Sequence, residues 1–190
     1  MKTLKIAMIT AFAVLTVNAT HAQESKMMKE TTVEVGGAPM YPSKDIVSNA
    51  VNSKDHTTLV AAVKAAGLVE TLQSAGPFTV FAPTNAAFNL LPDGTVATLL
   101  KPENKSALTG VLTYHVVAGK LNVSDIAKMI KAGNGTAVLT TVAGGKLMVS
   151  MEGNKIVVKD EKGGKAYVTI KDVNQSNGVI HVIDHVLLPK

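Results

Sequence analysis

The stretch NGVIHVIDHVLLP, residues 177–189, decides the fold of this chain. It opens with Asn177-Gly178, a pair typical of tight turns, and the run at 179–188 that follows is apolar on both of its faces. A strand with two apolar faces is stable only when other elements cover both of them. We therefore predict that this run is a strand that closes the hydrophobic core.

The residues before this strand are typical of an antiparallel meander. After Gly133 the chain consists of runs rich in Val, Ile and Thr, which Gly- and Asn-containing pairs separate at hairpin spacing. From these runs we predict four further strands, at residues 137–142, 146–151, 155–159 and 166–170.

Between Ser43 and Gly133 the sequence instead predicts short helices. In the clearest of them, residues 57–66, apolar side chains recur at helical spacing and Gly67 follows as a C-terminal stop. The predicted helices lie at 43–51, 57–66, 84–91, 102–112 and 125–131, with one strand at 78–81 among them. Helices followed by strands favour the α+β class.

The first residues have the layout of a secretory signal peptide. Lys2 and Lys5 precede an apolar run at 6–17, which is shorter than the roughly 20 residues that span a bilayer. Small residues at its end fit cleavage after Ala22. We predict a signal peptide at 1–22, a flexible N-terminal tail at 23–42 and a folded domain at 43–190. The mature domain is expected to be secreted, either periplasmic or extracellular, without stable insertion in a membrane.

The composition narrows the possible chemistry and the possible partners. The chain has 190 residues with no cysteine, and every one of its 19 basic residues is lysine. The absence of cysteine excludes thiol chemistry and Cys-based metal sites. Arginine is absent and no basic stripe is interleaved with aromatic residues, so nucleic acid is not an expected partner.

The histidines of the last segment do not predict a metal site. On a strand, His181 and His185 are separated by roughly 13 Å, which is too far for both to bind one ion. We expect His181 to be a hydrogen-bonded core residue and His185 a surface residue. The sequence also contains neither a GxSxG nor an HExxH motif. We therefore expect no catalytic residue, no metal and no cofactor.

Three segments together indicate a family. They are TVFAPTNAAF at 79–88, LTYHVVAGKL at 112–121 and the segment at 177–189. In this order and at this spacing, they resemble the conserved blocks and the central Tyr-His pair of the fasciclin domain family. The resemblance implies a seven-stranded, wedge-shaped β-sandwich with several short α-helices packed on one side. That fold agrees with the order of elements predicted from the residues.

The resemblance also implies candidate binding residues. In animal relatives the Tyr-His pair and its aliphatic neighbours have been implicated in integrin binding, and the matching residues here are Leu112, Tyr114, His115, Val116, Val117 and Leu121. A second pair, Asp172-Val173, matches an Asp-Ile pair that relatives place before the last segment. The residues leave other roles open, with His115 as a packed, hydrogen-bonded structural residue and Asp172 as a solvated loop charge.

Two functions follow as hypotheses. The first is a secreted, non-catalytic adhesion module of the fasciclin type, which binds a protein or polysaccharide of a cell surface, a biofilm or an extracellular matrix. The alternative is a small-ligand carrier or an uncharacterised periplasmic enzyme that uses a pocket between the helices and the sheet. The sequence leaves the oligomeric state open.

Overall fold

The computed structural model describes residues 30–190, so the predicted signal peptide and the first part of the predicted tail lie outside the described residues. Nine strands are present in this part of the chain: β1 Val33–Val35, β2 Ala38–Met40, β3 Phe78–Pro83, β4 Val116–Ala118, β5 Thr136–Thr140, β6 Lys146–Glu152, β7 Lys155–Lys159, β8 Lys165–Gln175 and β9 Gly178–Ile183. Seven α-helices accompany them: α1 Ile46–Ala50, α2 Thr57–Ala66, α3 Val69–Gln73, α4 Asn85–Asn89, α5 Thr95–Leu99, α6 Lys105–Tyr114 and α7 Val123–Ala132.

Seven strands form one curved sheet in the order β4-β3-β9-β8-β7-β6-β5. The meander from β5 to β9 is antiparallel, as the hairpin spacing predicts, whereas β9 pairs with β3 in parallel. A bridge between Val117 and Thr141 brings the two ends of the sheet together, so the sheet is nearly a closed barrel. The predicted α+β class and seven-stranded sheet are confirmed.

Strand β9 lies near the middle of this sheet, and all six of its residues are buried. It ends at Ile183 rather than at residue 188, because the side chain of Asp184 accepts a hydrogen bond of 2.7 Å from the backbone N–H of Tyr167 and the chain turns there. The predicted strand is therefore correct in place and too long at its end.

The sheet is covered on both faces by two hydrophobic clusters. The first lies against helices α1 to α6 and includes Leu59, Ile180 and Val182. The second lies on the opposite face, where α7 contributes Ile126 and β9 contributes Ile183. Because neighbouring residues of a strand point to opposite faces, β9 supplies side chains to both clusters. This is why its sequence is apolar without alternation.

The fold begins earlier than the predicted boundary at Ser43. Strands β1 and β2 form a hairpin around Gly36 and Gly37, both of which have positive φ angles, of 59° and 74°. Val35 and Met40 are buried in the first cluster. Residues 33–42 therefore belong to the folded unit and not to the flexible tail. The strands have only three residues each, which is too short for an alternating pattern to be recognised.

Gly178 leaves almost no space for a side chain. A Cβ atom there would lie 2.1 Å from the backbone oxygen of Phe78, which pairs with Gly178 in the sheet. We expect Gly178→Ala to lower the free energy of unfolding by about 1–3 kcal/mol or more, because β3 and β9 would have to move apart. Urea unfolding followed by circular dichroism measures this change.

Gly110 provides the matched control within helix α6. A Cβ at this position meets no atom within 4 Å, so Gly110→Ala is expected to raise the free energy of unfolding by about 0.5–1 kcal/mol through helix propensity. Equal effects of the two substitutions would contradict the close contact between β3 and β9.

Candidate functional site

Tyr114 and His115 stand where α6 ends and β4 begins, and both are almost fully buried. The Tyr114 hydroxyl donates a hydrogen bond of 2.8 Å to the carbonyl of Lys146 and accepts one of 3.1 Å from the N–H of Glu161. Its ring packs so closely on Gly145 that a Cβ there would lie 2.6 Å from a ring carbon. The tyrosine therefore joins the start of β6 to the turn between β7 and β8.

His115 uses both of its ring nitrogens inside the protein. Nδ1 lies 2.8 Å from the carbonyl of Val111, and Nε2 lies 3.0 Å from the N–H of Leu187. A carbonyl can only accept and an N–H can only donate, so the proton resides on Nδ1. Burial lowers the pKa of His115 to about 4, which keeps the imidazole neutral at ordinary pH. Neither nitrogen is left to act on a substrate.

Asp160 is the third polar residue of this corner, and the sequence analysis missed it. Its carboxylate is buried and accepts backbone hydrogen bonds of 3.0 Å from Lys162, 2.7 Å from Gly164 and 3.0 Å from Leu188. Together with His115 it holds the segment that follows β9. An Asp before a Gly-Gly pair is typical of a turn in which the side chain binds the backbone, and that was the available signal.

Asp172 lies within strand β8 and has a positive φ angle of 56°. The pairing of β8 with β9 shifts register here, so the residue forms a bulge opposite His181. Its carboxylate accepts a hydrogen bond of 2.7 Å from the N–H of Val123, the first residue of α7. Asp172 therefore caps a helix, whereas the sequence offered a binding residue or a solvated loop charge.

His181 holds the loop that leads into α7. The residue is fully buried, as predicted, and its Nε2 lies 2.8 Å from the carbonyl of Leu121. Its Nδ1 accepts a hydrogen bond of 3.3 Å from the N–H of Asp172. The hydroxyl of Thr79 fixes the same loop, because it donates to the carbonyl of Gly119 and accepts from the N–H of Leu121. His185, by contrast, is exposed.

The predicted site residues therefore lie mostly inside the protein. Six of the eight are buried: Leu112, Tyr114, His115, Val116, Val117 and Val173. Leu121 and Asp172 are half-buried, and His181 brings them together at the start of α7. These residues build the corners of the sheet and present little surface to a partner.

A surface and a cavity of the fold could accept a partner or a ligand. On the outside of the sheet, β7 and β8 carry exposed lysines around a half-buried tyrosine, a surface that we call the lysine face: Lys155, Lys159, Lys165 and Tyr167. Between the helices and the sheet lies an apolar cavity of about 80 Å³, whose wall includes four of the predicted site residues: Leu112, His115, Val116 and Val173.

The lysine face has little internal charge compensation. Lys165 pairs with Glu152, and the hydroxyl of Tyr167 donates to the same carboxylate at 3.0 Å. Lys155 lies 5.7 Å from the centre of the Tyr167 ring. Lys159 stands directly opposite Lys165 in the sheet and has no ion-pair partner within residues 30–190. This half of the chain is also basic, since residues 116–171 contain nine lysines and four acidic residues.

Within residues 30–190 no group of three or more His, Asp or Glu side chains is arranged to hold a metal ion. None of the helices in the same part of the chain is long and apolar enough to cross a membrane.

Comparison with known proteins identifies similar sequences and a similar fold. The family model described as "Fasciclin domain" matches residues 54–189. Protein sll1483 of Synechocystis is 45% identical over 187 residues, covering 96% of this chain and 97% of that protein. The immunogenic protein MPB70 of Mycobacterium bovis is 39% identical over 153 residues, covering 77% and 70%.

Two longer proteins are similar over part of their length. The transforming growth factor-beta-induced protein ig-h3 of Sus scrofa is 39% identical over 131 residues, which are 69% of this chain and 17% of that protein. The solved structure of a FAS1 domain pair from the insect cell adhesion molecule fasciclin I matches with a TM-score of 0.69, over 84% of this chain and 58% of that chain. At 19% identity this last match shows the fold alone.

The buried histidine predicts how stability depends on pH. Between pH 6.5 and about 4 the unfolded chain binds a proton at residue 115 that the folded chain does not. The free energy of unfolding should therefore fall as the pH is lowered through this window, by up to about 3 kcal/mol from His115. Burial also lowers the pKa of His56 and His181, which adds to the same trend. Urea unfolding at several pH values measures the slope.

Two variants separate the contribution of His115 to this pH slope from the contribution of the other titrating groups. His115→Gln keeps an acceptor for the N–H of Leu187 but cannot be protonated, so the slope should become shallower by up to about 1.4 kcal/mol per pH unit. His185→Gln makes the same substitution at an exposed histidine and serves as the matched control. An unaltered slope in His115→Gln would show that His115 does not titrate on unfolding.

Proposed function

The chain belongs to the fasciclin domain family, and from this premise we propose that it is a secreted, non-catalytic adhesion module whose lysine face binds an acidic macromolecule of a cell surface or extracellular matrix. Domains of this family occur in cell adhesion proteins, as in the insect molecule fasciclin I. Three parts of this function are proposed: the lysine face as the binding surface, an acidic macromolecule as the partner, and a location outside the cytoplasm.

The pairing of Lys159 with Lys165 is the observation that carries the proposal. Like charges directly opposite one another on neighbouring strands destabilise a sheet, and Glu152 compensates only one of these two lysines, Lys165. A negatively charged partner would remove this repulsion when it binds, so the arrangement favours binding at a cost in stability of the free domain. Lysine also suits a partner without fixed geometry, because its ammonium group is a point charge on a flexible stem.

Tyr167 adds a flat apolar contact to this charged surface. Its hydroxyl is tied to Glu152, so the ring has few orientations to lose when a partner binds. Exposed Val138, on the neighbouring part of the same sheet face, extends the contact beyond the lysines. An open sheet surface with lysines around one aromatic ring suits an extended acidic polymer, either a polysaccharide or an acidic protein segment.

The non-catalytic part of the proposal rests on how the polar side chains are used. The nitrogens of His115, the hydroxyl of Tyr114 and the carboxylate of Asp160 all bind the backbone of the same domain. A general base or a nucleophile needs a free atom within reach of a substrate. These groups have structural partners instead, which favours a binding function.

A matched pair of double variants tests the lysine face. Lys155→Gln with Lys159→Gln removes two charges from the face, whereas Lys101→Gln with Lys105→Gln removes two exposed charges from the helical side. On an immobilised acidic polysaccharide such as alginate, we expect the wild type and the helical-side variant to be retained. The face variant should bind roughly tenfold more weakly at ~50 mM salt, and raised salt should release all three proteins.

The same experiment contains the outcomes that would contradict the proposal. Equal weakening of both double variants would mean that only the total charge matters. Failure of the wild type to bind alginate, heparin and an acidic protein matrix, with dextran as the neutral comparison, would remove acidic macromolecules as the partner class.

Export has its own test. When the chain is expressed with its own leader in a bacterial host, we expect the protein outside the cytoplasm to begin at Gln23, after cleavage behind Ala22. Intact-mass measurement of the periplasmic fraction and of the medium determines the first residue. Recovery of the full-length chain from the cytoplasm alone would contradict the proposed secretion.

A further inference from the structure

The cavity between the helices and the sheet is separate from the lysine face. Its wall is formed by β1 and β2, by α2 and α3, and by the inner side of β3 and β9, with Leu59, Val63, Val80 and Ile180 among the lining residues. Its volume of about 80 Å³ is several times the ~10–15 Å³ that a water molecule requires and about half that of a ~150 Å³ cavity that binds benzene. The space therefore suits a molecule of a few heavy atoms.

His56 is the unusual member of this wall. The residue is 3% exposed, and its Nδ1 lies 2.9 Å from the hydroxyl oxygen of Ser53, which is itself buried. Among residues 30–190 this hydroxyl has no other hydrogen-bond partner, so it donates to Nδ1 and the ring proton resides on Nε2. The imidazole is neutral, since burial lowers the pKa of His56.

Nε2 of His56 has no hydrogen-bond partner, although it is buried. The carbonyl of Ala82 is near enough to act on the pKa of the ring but does not satisfy the geometry of a hydrogen bond with Nε2. An unpaired buried N–H destabilises a protein by about 1–3 kcal/mol. His115 and His181, the other two buried histidines between residues 30 and 190, use both of their nitrogens.

Water is a poor partner for this N–H. A buried water molecule needs two to four polar partners, and the wall around His56 is composed almost entirely of hydrocarbon side chains. Asn122 Oδ1 is the other buried side-chain atom without a partner among the described residues, but Asn122 does not line this cavity. The unpaired N–H and the apolar space thus occur together at His56.

We propose that this cavity binds a small, uncharged, apolar molecule with one oxygen acceptor, whose oxygen accepts the hydrogen bond of His56 Nε2. The hydrocarbon part of the ligand would contact Leu59, Val63 and Ile180, and a carbonyl or ether oxygen would meet the imidazole. A charged ligand is disfavoured because the wall is almost entirely apolar and its one charged residue, Lys64, is exposed to solvent. A cyclic or short-chain ketone has this chemistry.

Acetone and 2-methylpropene provide the test, since each has four heavy atoms. The two molecules have nearly the same shape, but only the ketone has an acceptor. Titration of the full domain, followed by methyl and imidazole nitrogen NMR, should shift the methyl signals of Leu59, Val63 and Ile180 and the Nε2 signal of His56. We expect the ketone to bind about three- to tenfold more tightly than the hydrocarbon, as one buried hydrogen bond contributes.

His56→Phe keeps a ring of similar size in the wall and removes the donor. In this variant the preference for the ketone should disappear while the hydrocarbon still binds. His185→Phe, at an exposed histidine, is the control and should keep the preference. Because the Nε2 signal is measured in the wild type, a poorly folded variant does not prevent a decision.

Three results would overturn the proposal. They are equal affinity of the wild type for the two ligands, binding of neither at millimolar concentration, and methyl shifts without movement of the His56 Nε2 signal. Binding of acetone with no effect on retention by alginate would show that the cavity and the lysine face act independently, so that the test of one does not depend on the test of the other.

Discussion

The burial of β9 on both faces is the constraint on which the rest of the structure depends. Ile180 and Val182 face the helical core, so His181 between them must enter the opposite core beside Ile183. A buried imidazole needs partners for both nitrogens. The carbonyl of Leu121 and the N–H of a bulge in β8 supply them, and the same bulge directs a carboxylate to the first turn of α7. One polar residue in the central strand thus fixes a loop, a bulge and a helix start.

The Tyr-His corner follows the same logic at the end of β9. Beyond Ile183 the chain leaves the sheet, and the backbone N–H groups of Leu187 and Leu188 need new acceptors inside the protein. His115 and Asp160 provide them. Backbone hydrogen bonding alone therefore accounts for the residue types at this corner, without a binding partner. The pair is buried because it binds the backbone, and we therefore propose a binding surface on another part of the sheet.

Local signals in the sequence predicted the helices and strands. Contacts between residues that are distant in sequence could not be predicted from it. The apolar run of β9, the glycine pairs of the meander and Thr84 at the start of α4 are visible within a few residues, and each corresponds to an observed element. The parallel pairing of β3 with β9 and the cap that Asp172 gives to α7 depend on residues 49 or more positions away. The residue types at the site were therefore identified from the sequence, and for His115 the structural role that the sequence left open is the one observed. Contact of these residues with a partner stays a prediction.

The polar and charged groups that this domain leaves unsatisfied indicate which ligands it would bind. The chain has no disulfide, so its stability rests on packing and on internal hydrogen bonds, and its buried polar side chains are otherwise well paired. Against that background, an unpaired N–H at His56 and two opposed lysines, Lys159 and Lys165, both reduce stability. Different ligands would compensate these two features. The N–H of His56 needs a neutral acceptor inside an apolar cavity, whereas the two lysines need an anion in solvent. A single ligand cannot meet both needs, so the two sites call for chemically different partners.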